Sequence, residues 1–237
     1  MSADQGLHRN LIEARSVVMA VLTTVCISIG GLVEIVPMFG SAVAPAKVEG
    51  IEPYTPLEVA GRDIYMREGC YVCHSQMVRP FRSETLRYGE WSRGGEYAWD
   101  HPFLLGSRRT GPDLARVGGK WDDDWHYRHM KDPRLVTAGS IMPSYEFLTR
   151  WSYDPTDIQA SMTALSRVGL PYTAEDIANA PKAMDEQAQG IVDRLAKKEI
   201  VTTKDKEIVA LIAYLQNLGV DGTAAAKKAS QAAQVTP

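Results

Sequence analysis

Residues 70–74 read Cys70-Tyr71-Val72-Cys73-His74, a C-x-x-C-H. Two thiols at this spacing can each add across a vinyl group of haem, and the adjacent imidazole can then reach the iron from one face. The motif therefore predicts one covalently attached c-type haem held by Cys70 and Cys73, with His74 as an iron ligand. It also predicts a compartment, because this attachment belongs to the outer side of an energy-transducing membrane. Two other readings compete. A structural zinc site needs four ligands. The third cysteine, Cys26, lies in a long apolar run, so thiolates are short, although His126 and His129 could supply imidazoles. A thioredoxin-like dithiol expects strands alternating with helices, whereas the flanks here have helical spacing.

Val17 to Val33 is free of charge, and after Glu34 the apolar character continues to Phe39, 23 residues in all. At ~1.5 Å per residue this gives about 35 Å, enough for a hydrocarbon core of about 30 Å. A signal peptide is the rival, with Ala42-Val43-Ala44 as a small-residue cleavage site, but the run exceeds the usual signal core of ~7–15 residues. Residues 16–39 are expected to be a retained transmembrane anchor. Arg9 and Arg15 precede it and only Lys47 follows closely, which places residues 1–15 as a cytoplasmic tail and the rest outside. Glu34 lies near the outer end of the span, facing either headgroups or a partner helix.

Residues 40–56, with three prolines, read as a linker. Leu57 to Gly69 has one apolar helical face that delivers Cys70. The stretch 79–119 shows no clean period and reads as loop with short turns. Residues 122–130, 154–168 and 174–198 are helical candidates, and 205–218 is strongly amphipathic. Residues 221–237 read as a mobile tail. The expected fold is all-α: one N-terminal transmembrane helix plus a class I cytochrome c-like domain over 57–220, with extra loops and helices. In such a fold the first and last helices cross closely, and Gly61 and Tyr214 suit that crossing. Lys and Arg total 26 against 29 Asp and Glu, a net charge of −3, so no global field favours nucleic acid.

The sixth iron position needs Met, His or nothing. Met142, in Ser140-Ile141-Met142-Pro143-Ser144-Tyr145, precedes a proline and so sits in extended chain, on a loop able to fold over a haem face. Met77 follows the motif too closely to cross over. His126 and His129 are the alternatives, though their i, i+3 spacing reads as a solvated or interface face. Pro112, in Thr110-Gly111-Pro112-Asp113-Leu114, offers a carbonyl to the free ring N–H of His74. Arg108 and Arg109 are candidates for the haem propionates, and Trp121 and Tyr127 for the pocket lining.

The chain resembles one family closely. Glu68-Gly69-Cys70-Tyr71-Val72-Cys73-His74-Ser75-Gln76-Met77-Val78-Arg79-Pro80 is similar to the haem-binding signature of the mono-haem subunit of cbb(3)-type cytochrome c oxidase (subunit II, the CcoO or FixO family). The resemblance runs on through Arg87–Glu90, Ser92–Glu96, Asp100–Phe103, Leu105–Leu114 and Met142–Tyr145, and covers roughly residues 10 to 220. It implies His74 and Met142 as iron ligands on a periplasmic haem c, anchored in the bacterial inner membrane. It also implies a catalytic haem–copper subunit (CcoN-like) as electron acceptor, and a di-haem cytochrome c subunit (CcoP-like) or a soluble cytochrome c as donor. No residue of this chain would perform oxygen chemistry. The rival assignments are the cytochrome c subunit of nitric oxide reductase, a stand-alone tethered carrier, and a haem-containing sensor or assembly factor.

Overall fold

In the computed structural model, residues 14–39, 48 and 50–224 are described. Most of the expected cytoplasmic tail, much of the linker and residues 225–237 of the expected tail lie outside the described residues. The chain divides into two units, residues 1–46 and 47–237.

The first unit contains α1 (Ser16–Ile35). It is long and apolar enough to cross a membrane, with a mean hydropathy of 2.2 and no buried residue. A 3-10 turn, Val36–Phe39, follows. Pro37 has no N–H to offer Val33, which ends the α-helical ladder there. Glu34 is exposed on the last turn, and a Cβ added at Gly30 or Gly31 would meet nothing within 4 Å.

The second unit is all-helical, with no strand among its described residues beyond one isolated bridge between Ser152 and Lys206. Its first helix, α2 (Pro56–Arg67), opens on a capping box. The Thr55 amide donates to Glu58 Oε2 at 2.8 Å, the Glu58 amide donates to Thr55 Oγ1, and Pro56 fills the first helical position. Gly69, at φ +69, turns the chain into the single helical turn α3 (Cys70–Cys73). Helix α2 crosses the last long helix, α8 (Glu207–Asn217), at Gly61. A Cβ there would stand 2.0 Å from the Ala210 carbonyl oxygen and 2.8 Å from Tyr214 Cβ. Every residue of α8 from Glu207 to Leu215 is buried, so this helix is the axis of the core.

One helix was not expected. Within the stretch read as loop, α4 (Arg82–Tyr88) forms two turns. Its buried face consists of Glu84 and not of an apolar stripe, so hydrophobic periodicity gives no signal for it. Helix α5 is Asp123–Lys131. The region 150–200 forms a helical hairpin, α6 (Asp157–Arg167) and α7 (Ala174–Ala196). It packs on α2, with Ser161 donating to Asp63 at 2.9 Å and the Tyr172 hydroxyl to the Tyr54 carbonyl at 2.7 Å. Residues 220–224, partly in the expected tail, form a further helical turn in which Gly222 is buried.

Candidate haem site

Helix α3 places Cys70 and Cys73 on one turn, as free thiols, with His74 immediately after. Cys70 packs against the edge of the core while Cys73 is exposed. Burial, followed by the charge of Glu68, pushes the Cys70 thiol up to about 12. That disfavours a thiolate and with it the redox-dithiol reading. Among the described residues no three His, Cys, Asp or Glu converge on a metal site, which disfavours zinc.

His74 is fixed from behind. Its Nδ1 lies 2.8 Å from the Pro112 carbonyl oxygen, so Nδ1 carries the proton and Nε2 is left as the free nitrogen. Gly111 makes room for the ring, because a Cβ there would stand 2.2 Å from His74 Cε1. The Gly111 amide donates to the Cys73 carbonyl at 3.0 Å and the Leu114 amide to that of Ser75 at 2.8 Å. The strip 111–114 thus runs pinned alongside 73–75.

Below this strip lies a polar network. Asp113 accepts from Ser75 Oγ at 2.6 Å, from the Met77 amide at 2.9 Å and from the Ala115 amide at 2.9 Å. Arg109 donates to Ser75 Oγ at 2.6 Å, the Met77 carbonyl at 2.7 Å, Glu84 Oε2 at 2.8 Å and Asp113 at 3.2 Å. Glu84 also takes the Arg79 amide at 2.9 Å and the Arg79 guanidinium. The Arg109 bond holds the Glu84 carboxyl down at about 2. The Arg109 guanidinium, expected near the haem propionates, is engaged by Ser75, Met77, Glu84 and Asp113. Arg108 is exposed.

Met142 is half-buried and packs against the core edge, as do Cys70 and Tyr145. Its loop is tied to the end of α5 by the Tyr145 amide, which donates to the Met130 carbonyl at 2.8 Å, and by Ser144 Oγ, which donates to that of Lys131 at 2.5 Å. Tyr145 lies within electrostatic reach of both motif thiols; burial first, then Cys70 and Cys73, raise its hydroxyl. The Met142 loop and the C-x-x-C-H turn are therefore neighbours, although 68 residues separate Met142 from His74 in the chain.

Helix α5 departs from the solvated face expected for it. His126 is 1% exposed, on a stripe with Asp123 and Met130 that faces the core. Asp123 is held there by Arg194 of α7 at 2.6 Å and Gln216 of α8 at 2.8 Å. Burial lowers His126 to about 4, and burial together with the charge of His74 lowers His129 to about 4. Both ring nitrogens of His126 and Nδ1 of His129 are buried with no hydrogen-bond partner among the described residues. Trp121, Trp125 and His129 stack in series, with ring centroids 4.8 Å apart at 12° and then 4.6 Å at 11°. Trp125 was missed in the sequence; the i, i+4, i+8 spacing of the three rings was the signal available.

The residues present fit a c-type haem. They supply two thiols on one turn, an imidazole whose outer nitrogen is occupied and whose inner one is free, a glycine cradle behind the ring, and a thioether loop close by. The model of the cytochrome c oxidase mono-haem subunit, FixO, matches residues 8–221. The chain belongs to this family of mono-haem cytochrome c oxidase subunits. Membership implies a haem and a place in an oxidase complex with other subunits. No curated protein matches the chain.

Proposed function

We propose that this chain relays electrons, one at a time, through a single covalent haem c to the catalytic haem–copper subunit of a cbb(3)-type oxidase, where oxygen is reduced to water. The observation that carries the reading is the fixed His74, with Pro112 on Nδ1 and Gly111 behind the ring, in a chain matched by the mono-haem subunit family over 8–221. Cys70 and Cys73 would hold the haem, and His74 Nε2 and Met142 Sδ would ligate iron. When bound, the haem supplies reversible one-electron chemistry. The Pro112 carbonyl fixes the His74 tautomer and raises its basicity. The thioether of Met142 favours the ferrous state and so a higher potential than a second imidazole gives. The Asp113–Arg109–Glu84 network keeps the segment after the motif from moving as the charge on iron changes.

Helix α1 would serve as a retained anchor, with the N-terminus cytoplasmic and residues from about 40 onward periplasmic, as the arginines before it favour. The donor would be a di-haem cytochrome c subunit or a soluble cytochrome c. The test is purification of the full chain in mild detergent. The expected result is one acid–acetone-resistant haem per chain, with a thioether-substituted pyridine spectrum, co-purifying with an oxidase that consumes oxygen. Extractable haem, or a partner that turns over nitric oxide and not oxygen, would refute it.

A further inference from the structure

An electron relay in a fixed complex must face a donor and an acceptor at once, and so needs two routes to its haem. One is evident. Tyr71, Val72 and Cys73, on the turn that would carry the thioethers, are all exposed.

The second is on α5. Trp121, just before the helix, is 42% exposed. It stacks on Trp125, and Trp125 stacks on His129, both contacts within 12° of parallel. Two centroid steps, of 4.8 Å and 4.6 Å, carry the column from Trp121 to His129. Its inner end is at the haem site: the next two residues, Met130 and Lys131, accept the hydrogen bonds that hold the Met142 loop. Its outer end is rimmed by acid, with Asp122 exposed and Asp124 half-buried, while Lys120 covers the Trp121 ring at 5.9 Å. Core packing alone does not require such a column, because the face of α5 that packs on the core is the Asp123–His126–Met130 stripe.

We infer that the Trp121–Trp125–His129 stack is the electron-entry path, with a reduced c-type cytochrome docking over Trp121. This rests on the electron-relay reading above. The step is a single electron passing from the donor's ferrous haem to ferric haem in this chain; no bond forms or breaks and no proton moves. Continuous π contact replaces a gap through saturated side chains, which strengthens electronic coupling without any ring being oxidised. The acidic rim steers a basic donor, so the rate should fall with added salt.

The test uses the full-length haem-loaded chain in detergent. The donor is zinc-substituted cytochrome c excited by a laser flash, and ascorbate serves as a small reductant that reaches the thioether edge directly. In Trp121→Leu and Trp125→Leu, electron transfer from the zinc protein should slow about tenfold. Ascorbate reduction, the haem spectrum and the midpoint potential should stay as in the parent, and Trp125→Phe should restore most of the rate. Trp121 is the safer site, because half-exposed side chains are replaced at little cost to folding. Unchanged transfer from the zinc protein in Trp121→Leu overturns the inference. Equal slowing with both reductants, or a shifted potential, makes the stack a pocket wall and also overturns it. A parent chain without covalent haem would instead refute the relay reading itself.

Discussion

The Nδ1 atom of His74 and the carbonyl oxygen of Pro112 lie 2.8 Å apart, and the backbone of Gly111 leaves no room for a Cβ beside the ring. The two facts together fix the imidazole in orientation and in tautomer. Gly111→Ala must displace the ring, since the new methyl would stand 2.7 Å from both ring nitrogens. The expected outcome is reduced haem loading. In whatever fraction loads, the potential should rise, because the lost carbonyl no longer makes the imidazole more basic and the ferric state less costly. Pyridine spectra and spectroelectrochemistry check both. Pro112→Ala keeps the carbonyl and should be milder.

The Met142 loop is tied to the end of α5 through Ser144 and Tyr145, and those ties do not depend on the thioether. Met142→His should therefore keep six-coordinate iron at a lower potential. Met142→Ala should open a position that binds carbon monoxide. Unchanged spectra and potentials in both variants would move the ligand to another residue, with His129 first.

The helix crossing at Gly61 makes a sharp prediction about stability. Gly61→Ala drives a methyl into the Ala210 backbone, which cannot give way as a side-chain end can, and should destabilise the domain by about 3 kcal/mol. Gly190→Ala in α7 is the counterpart. Its nearest neighbour is Arg194 Nη1 at 3.6 Å, so it should gain about 0.5–1 kcal/mol of helix propensity. Urea melts of the two variants should move in opposite directions.

What the sequence displayed, and what it hid, follow from how each feature is built. The motif turn, the amphipathic α8 and the apolar α1 are local patterns, and each is found where its pattern falls. The small residue Gly61 was legible because close helix crossings demand one. Helix α4 was not, because its buried side is the carboxylate of Glu84 held by Arg79 and Arg109, which no hydrophobic period reports. Arg109 suits a propionate from its place beside a haem motif, whereas the partners it has among the described residues, Ser75 and Glu84, lie 34 and 25 residues away in the chain, where no local pattern reports them. The i, i+3 spacing of His126 and His129 suggests a solvated or interface face. The stripe that is buried instead runs Asp123–His126–Met130, polar enough to pass for a surface.

Glu84 also gives the domain an acid limit. Its carboxyl titrates near 4.5 when free and near 2 in the folded chain, chiefly through the Arg109 bond. A depressed carboxylate stabilises the fold fully above the free value. Below it the unfolded chain takes a proton that the folded one refuses, so stability is lost as pH falls from about 4.5 towards 2. Glu84→Gln removes that proton from the balance. At pH 7 the variant should be less stable by about 2 kcal/mol, short of the ~3–5 for a broken buried pair because Arg109 keeps Asp113. Between pH 4.5 and 3 it should lose less further stability than the parent. Helix α4 would then lose its ion pairs to Arg79 and Arg109, so limited proteolysis near Arg82 should quicken in the variant at neutral pH. Parallel pH profiles for parent and variant would show that Glu84 is not the group that sets the acid limit.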